Sequence, residues 1–304
     1  MKKNIVSLLG VSILLLACSG SGLFGAPTPT PLPTTTFTPL PPPKTATATS
    51  TFTPSPLPTA TWVWQGPDIV TIPIFLYHRI DTSPTNSQYY VPPEKFEEQM
   101  RLLKEWGYET ISTDLLLKAI TEGASLPPRP IIITFDDGNL NNYTAAFPIM
   151  QKYGFTGVLY IVGNYMGADQ FMNVDQIREM AAAGWEVGSH GMNHKDLTLL
   201  EPQEQRSEIV DSKKYLENTL GVPINTIAYP YGLSDPSVID FTYFAGYTAG
   251  MSLGASQQQG TGNLFTLQRR DIKGTYDLNQ FAYFLPWKGD PIYLPATPTS
   301  TPQE

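Results

Sequence analysis

The residues that most restrict the fold are Ile131, Ile132, Ile133, Thr134 and Phe135, a β-branched and aromatic run that stops at Asp136, Asp137 and Gly138. A strand that is apolar at consecutive positions is buried on both faces, as in parallel sheets covered by helices. The chain is therefore read as α/β. In such folds ligands bind outside the carboxyl ends of the strands, so two acids at that end sit where chemistry is done. One aspartate suffices to cap the helix expected from about residue 142. A second beside it is repelled unless a cation or proton intervenes.

The rest of the domain alternates. Strand signals at 72–78, 108–111, 131–135, 157–162, 185–189, 225–229, 247–251 and 265–272 are interleaved with helix signals at 96–106, 114–123, 143–153, 174–183, 202–220, 237–244 and 278–285. Phe96, Met100, Leu103 and Trp106 recur at helical spacing and end at Gly107, and Asn173 stands as a cap ahead of 174–183. About seven β/α units predict a single-domain parallel sheet closed or nearly closed into a barrel, with an open doubly wound sheet as the alternative. No glycine loop able to cradle phosphate follows the first strand, which argues against a nucleotide site.

The ends are of another kind. Lys2 and Lys3, an apolar run over 5–16 and then Leu15, Leu16, Ala17 and Cys18 read as a secretory segment, 1–17, ending like a bacterial lipobox. Cys18 is the only cysteine, so no internal disulfide can form, and its thiol is the expected site of lipid attachment; a plain buried cysteine is the alternative. Residues 18–63 are rich in Pro and Thr and predict an extended tether rising about 3 Å per residue. Residues 64–294 form the expected catalytic domain, and 295–304 repeat the Pro/Thr composition as a tail. This layout predicts an extracytoplasmic protein of the bacterial envelope that meets the membrane through its lipid anchor only. The net charge of −8 becomes about −10 once Lys2 and Lys3 are removed, which excludes nucleic acid as an expected partner.

The chain has three histidines, and all fall at predicted strand ends. His190 and His194 are four apart in a turn containing Gly191, a spacing that lets both rings reach one metal. Asp137 completes a two-histidine, one-carboxylate set with a position open for water, the composition of catalytic rather than structural zinc sites. Zn²⁺ is the expected ion, with Co²⁺ or Ni²⁺ as alternatives. Asp136 is left as a general base, and His78 as the one remaining histidine able to act as an acid; a hydrogen-bonded structural histidine is the plainer reading of the latter.

These motifs carry a resemblance. Thr134 to Gly138, Ser189 to His194, and Tyr229, Pro230, Tyr231 and Gly232 together resemble the polysaccharide deacetylase family, carbohydrate esterase family 4. The resemblance implies a distorted (β/α)7 barrel and metal-dependent removal of N-acetyl groups from N-acetylglucosamine polymers. It implies Asp136 as base, Asp137, His190 and His194 as ligands, Tyr229 and Pro230 near substrate, and the Tyr231 N–H at the oxyanion. Two positions depart from the family pattern. Ala228 stands where an arginine usually orients the base, and no histidine follows His194. Ile74, Leu76 and His78 at the start resemble instead the circularly permuted branch that includes poly-N-acetylglucosamine deacetylases. There the acid histidine comes from the first strand and Leu76 lines the acetyl-methyl pocket. Arg269 is the expected substitute for the missing arginine, with Arg270 as its competitor. An O-acetyl esterase of xylan type and a glycan-binding lipoprotein without activity are the competing readings.

Overall fold

The computed structural model describes residues 61–289. The expected secretory segment 1–17, Cys18, the tether up to residue 60 and the tail 295–304 lie outside the described residues. Seven parallel strands make the barrel: β1 (Ile74–Tyr77), β2 (Pro130–Phe135), β3 (Val158–Ile161), β4 (Glu186–Ser189), β5 (Thr226–Ala228), β6 (Ala249–Leu253) and β7 (Leu267–Asp271). Each pairs with its sequence neighbour. The ring closes because β1 pairs on one side with β2, Ile74 opposite Ile132, and on the other with β7, Phe75 opposite Arg270. The closed (β/α)7 barrel replaces the alternative of an open sheet, since no strand of the ring is left with a free edge.

Strand alternation sorts the side chains into two layers. Ile74, Ile132, Val158, Tyr160, Ala228, Ala249, Met251 and Leu267 fill the barrel, while Phe75, Ile131, Ile133, Phe135, Leu159 and Ile227 pack outward against the helices. The consecutive isoleucines of β2 thus serve both layers, as a strand buried on two faces requires.

Helices α1 (Pro93–Glu105), α2 (Thr113–Thr121), α3 (Phe147–Tyr153), α4 (Val174–Ala182), α5 (Pro202–Arg206), α6 (Ser212–Leu220), α7 (Pro236–Phe244) and α8 (Leu278–Tyr283) cover the barrel. The cap expected at Asn173 is a full capping box: its side chain accepts from the Gln176 N–H, and Gln176 reaches back to the Asn173 N–H. Among the described residues, no helix is long and apolar enough to cross a membrane.

Three features differ from the periodicity. The strand expected at 108–111 is the short Glu109–Thr110, which joins the outer side of β2 at Pro130 and Ile131 while β3 pairs with β2 only from Thr134 onward. The barrel is splayed there, and the gap is bridged by Thr156 N–H donating to Thr110 Oγ1 (3.0 Å). The helices expected over 143–153 and 202–220 each contain a π turn, Asn142–Ala146 and Ser207–Asp211, which hydropathy spacing does not distinguish from an α-helix. Val63–Gln65, within and just past the expected tether, forms an antiparallel ladder with Ala124–Leu126.

Candidate active site

The carboxyl ends of the strands open into a cleft of about 400 Å³ lined by Leu76, His78, Asp136, Asp137, His190, His194, Tyr231 and Arg269, among others. Residues spread over nearly two hundred positions meet there because every strand of a parallel barrel ends at the same face.

Asp136 follows the last residue of β2 and is 2 % exposed. Arg269, in β7, is buried inside the barrel with its guanidinium 5.2 Å from the Tyr160 ring. It donates to both Asp136 oxygens, Nη1 to Oδ1 at 2.6 Å and Nη2 to Oδ2 at 2.8 Å. This two-pronged geometry matches guanidinium to carboxylate and fixes the acid's orientation. Burial pushes the Asp136 carboxyl up, but the charges of Arg269 and His190 and the Arg269 hydrogen bonds outweigh it and hold the pKa at about 2. Arg270, the competitor, points outward with its guanidinium 4.7 Å from the Phe284 ring, as the next residue of a strand must.

Asp137 takes a left-handed backbone (φ 73°), and its carboxylate faces the histidines. Its Oδ1 lies 3.8 Å from His190 Nε2 and 3.6 Å from His194 Nε2. One ligand atom from each of Asp137, His190 and His194 falls within 4.8 Å of the others, a candidate metal site. The donor set suits a divalent cation. His190 Nδ1 donates to the Ala228 carbonyl at 2.7 Å, which leaves the lone pair of the neutral ring on Nε2, facing the aspartates. Burial also pushes the His190 pKa down despite the two aspartates, favouring the neutral, ligating ring.

His78 ends β1. Its Nδ1 is 3.9 Å from Asp271 Oδ1, beyond hydrogen-bond length, and neither atom has a hydrogen-bond partner among the described residues. Burial raises the Asp271 pKa, and His78 partly offsets that. The His78 carbonyl accepts from Asn142 Nδ2 (2.9 Å) and Asn139 Nδ2 (3.2 Å), and Asn139 also reaches the Asp136 carbonyl (3.3 Å). The two buried asparagines thereby tie the end of β1 to the loop after β2.

Tyr231 sits at the apex of the turn closed by the Gly232 N–H donating to the Tyr229 carbonyl at 2.8 Å, with φ 60°. Its ring lies 4.8 Å from that of His194. Leu76 faces into the cleft from β1. Tyr229 and Pro230 are buried but do not line the cleft. Tyr229 follows Ala228 directly and so takes the opposite face, in the outer layer with Ile227 and Val238. Asp271, Asn139 and Glu208, whose carboxylate accepts from the Met192 and Asn193 N–H groups between the two histidines, were not singled out from sequence, and Asn142 only as a helix start. Asp271 carried one signal, since it extends the inward alternation Leu267, Arg269 by two positions. Glu208 carried none.

A closed (β/α)7 barrel with a base-like aspartate and a candidate Asp/His/His metal site at its strand ends defines a class of protein, and three relatives specify it. The polysaccharide deacetylase domain profile matches residues 123–250. YxkH of Bacillus subtilis (strain 168), named for the same family, is 32% identical over 192 residues, 62% of this chain and 68% of that protein. The poly-β-1,6-N-acetyl-D-glucosamine N-deacetylase of Staphylococcus aureus (strain MRSA252) is 29% identical over 193 residues, 59% of this chain and 66% of that protein. The solved Streptococcus pyogenes deacetylase PplD, in complex with acetate, superposes with a TM-score of 0.66 at 27% identity, covering 71% of this chain and 98% of PplD. The chain belongs to the polysaccharide deacetylase family. The profile match contains Asp136, Asp137, His190, His194 and Tyr231; His78, Arg269 and Asp271 lie outside it and join the site through the closure of the barrel.

Proposed function

We propose that this protein hydrolyses N-acetyl groups of an N-acetylglucosamine-containing polysaccharide at the bacterial cell surface, held there by a lipid on Cys18. The observation that carries the reading is the convergence of Asp136, Asp137, His190, His194 and His78 on one open cleft. The name of the Staphylococcus aureus relative, a poly-β-1,6-N-acetyl-D-glucosamine N-deacetylase, supports the substrate class.

In this reading Asp137, His190 and His194 hold a divalent cation, Zn²⁺ before Co²⁺ or Ni²⁺, which when bound lowers the pKa of a water and polarises a carbonyl. Asp136, ionised and aimed by Arg269, takes the proton of the attacking water. The Tyr231 N–H, at the apex of its turn, donates to the oxygen that gains charge as water adds to the acetamide carbon. His78 gives a proton to the sugar nitrogen as the C–N bond breaks. Acetate and a free amine leave. Leu76 supplies an apolar wall for the acetyl methyl group.

The test is acetate release from N-acetylglucosamine oligomers of β-1,4 and β-1,6 linkage, peptidoglycan and acetylated xylan, each with and without added Zn²⁺. The reading expects Zn²⁺-dependent acetate from the amino-sugar substrates. Acetate from xylan alone would replace it with an O-acetyl esterase.

A further inference from the structure

Glu208 is 1 % exposed and has no place in the chemistry above. It sits in the π turn Ser207–Asp211 between α5 and α6, and its carboxylate points at the loop joining His190 to His194. Oε2 accepts from the backbone N–H of Met192 (2.7 Å) and of Asn193 (2.8 Å), and Oε1 accepts from Asn193 Nδ2 (2.7 Å). These three short charge-assisted bonds act on the donor side of the loop, while the Gly163 and Asn164 N–H groups hold the Gly191 and Met192 carbonyls (3.0 and 2.9 Å). Among the described residues no arginine or lysine forms an ion pair with Glu208, so these donors balance the buried charge.

The surrounding residues fit around this carboxylate. Gly191 has φ +79°, and a Cβ there would come 2.8 Å from Glu208 Oε2. The Ser212 hydroxyl donates to the Glu208 carbonyl at 2.6 Å and lies 2.9 Å from Ser189 Oγ, at the end of β4. A π turn adds a residue to a helical turn and rotates the side chains that follow, which lets a residue buried under the loop reach it.

We infer that Glu208 is a positioning residue for the metal site: by fixing the backbone at Met192 and Asn193 it sets where His194 stands relative to His190 and Asp137. The inference rests on the reading of those three as ligands. Groups that orient ligands in this way typically contribute about 10–100-fold to metal affinity. Glu208→Ala removes three of the bonds that hold the loop, those to the Met192 N–H and to the Asn193 N–H and Nδ2. Glu208→Gln keeps the side chain's length and one acceptor oxygen, so it restores part of the loop's anchoring.

The experiment is titration of the full chain, stripped of metal, with Zn²⁺ against a competing chelator. The visible spectrum of the Co²⁺ form is recorded for wild type, Glu208→Ala and Glu208→Gln, and folding is followed by thermal melting. The expected result is a folded Glu208→Ala protein with Zn²⁺ affinity about 10–100-fold weaker and an altered Co²⁺ spectrum, with Glu208→Gln in between. A folded Glu208→Ala protein with wild-type affinity and spectrum overturns the proposal. If Glu208→Ala does not fold, Glu208→Gln decides, because it keeps the length and loses one acceptor oxygen: weakened affinity supports the role and wild-type affinity overturns it. A wild-type chain that takes up no Zn²⁺ overturns the ligand reading itself, whereas uptake by wild type and variants alike overturns only the role of Glu208.

Discussion

Asp136 shows how two opposed physical effects on one carboxyl are resolved by geometry. Burial alone drives a carboxylate towards its neutral form, and a neutral acid cannot act as a base. The paired bonds from Arg269 reverse this and keep it ionised down to about pH 2. Replacing Arg269 with Met removes the largest charge and the hydrogen bonds that oppose burial, so the carboxyl pKa rises. The base is then lost at higher pH as acid is added, and the acidic limb of kcat/KM should move up by about one pH unit or more. An unmoved limb in Arg269→Met would detach Asp136 from the proton transfer. The same variant strands a buried charge and should cost roughly 3–5 kcal/mol in denaturant unfolding. Asp136→Asn should lower kcat by about 10²–10⁴ with Zn²⁺ binding retained, and His78→Ala by roughly 10², both read from acetate release on a defined oligomer.

At the scale of single elements, the interior of the barrel is fitted around one ring. Tyr160 in β3 occupies the space that a side chain on β4 would need: a Cβ at Gly188 would lie 2.4 Å from Tyr160 Cε1 and 2.9 Å from the Thr226 carbonyl oxygen. The backbone contact cannot be relieved by a rotamer change. Gly188→Ala should therefore cost about 1–3 kcal/mol, seen as a lower melting temperature, and should disturb Arg269, which stacks on the same ring. Element identity was largely legible from sequence, because apolar spacing and caps are local: Asn173 and the run from Ile131 to Phe135 each fell where their residue types required. The π turns were not legible. They cost one extra residue per turn without breaking the apolar stripe, and they are held by distant partners, the His78 carbonyl for Asn142 and the 190–194 loop for Glu208.

For the molecule as a whole, the core is the apolar barrel and its helical cover, to which the candidate ligands do not belong, so a chelator should leave the fold intact while abolishing acetate release. Added Zn²⁺ at about 100 times its Kd should then raise the melting temperature by roughly 5–10 °C, since binding to the folded state alone contributes about 2.7 kcal/mol. A chelated protein that melts as the metal-loaded one does, and still releases acetate, would remove the cation from the reaction.

What the sequence by itself determined is the inventory: a parallel α/β sheet, two acids ending its most buried strand, a histidine pair at ligand spacing, and an arginine able to replace the one missing at Ala228. The choice between Arg269 and Arg270, the outward turn of Tyr229, and the placement of Asp271 3.9 Å from His78 were decided only by the tertiary structure. The physical reason is that motif spacing is encoded in neighbouring residues. Which face of a strand meets the cleft, and which strand closes the ring, depends on the register of β1 against β2 and β7, a property of pairs far apart in the chain.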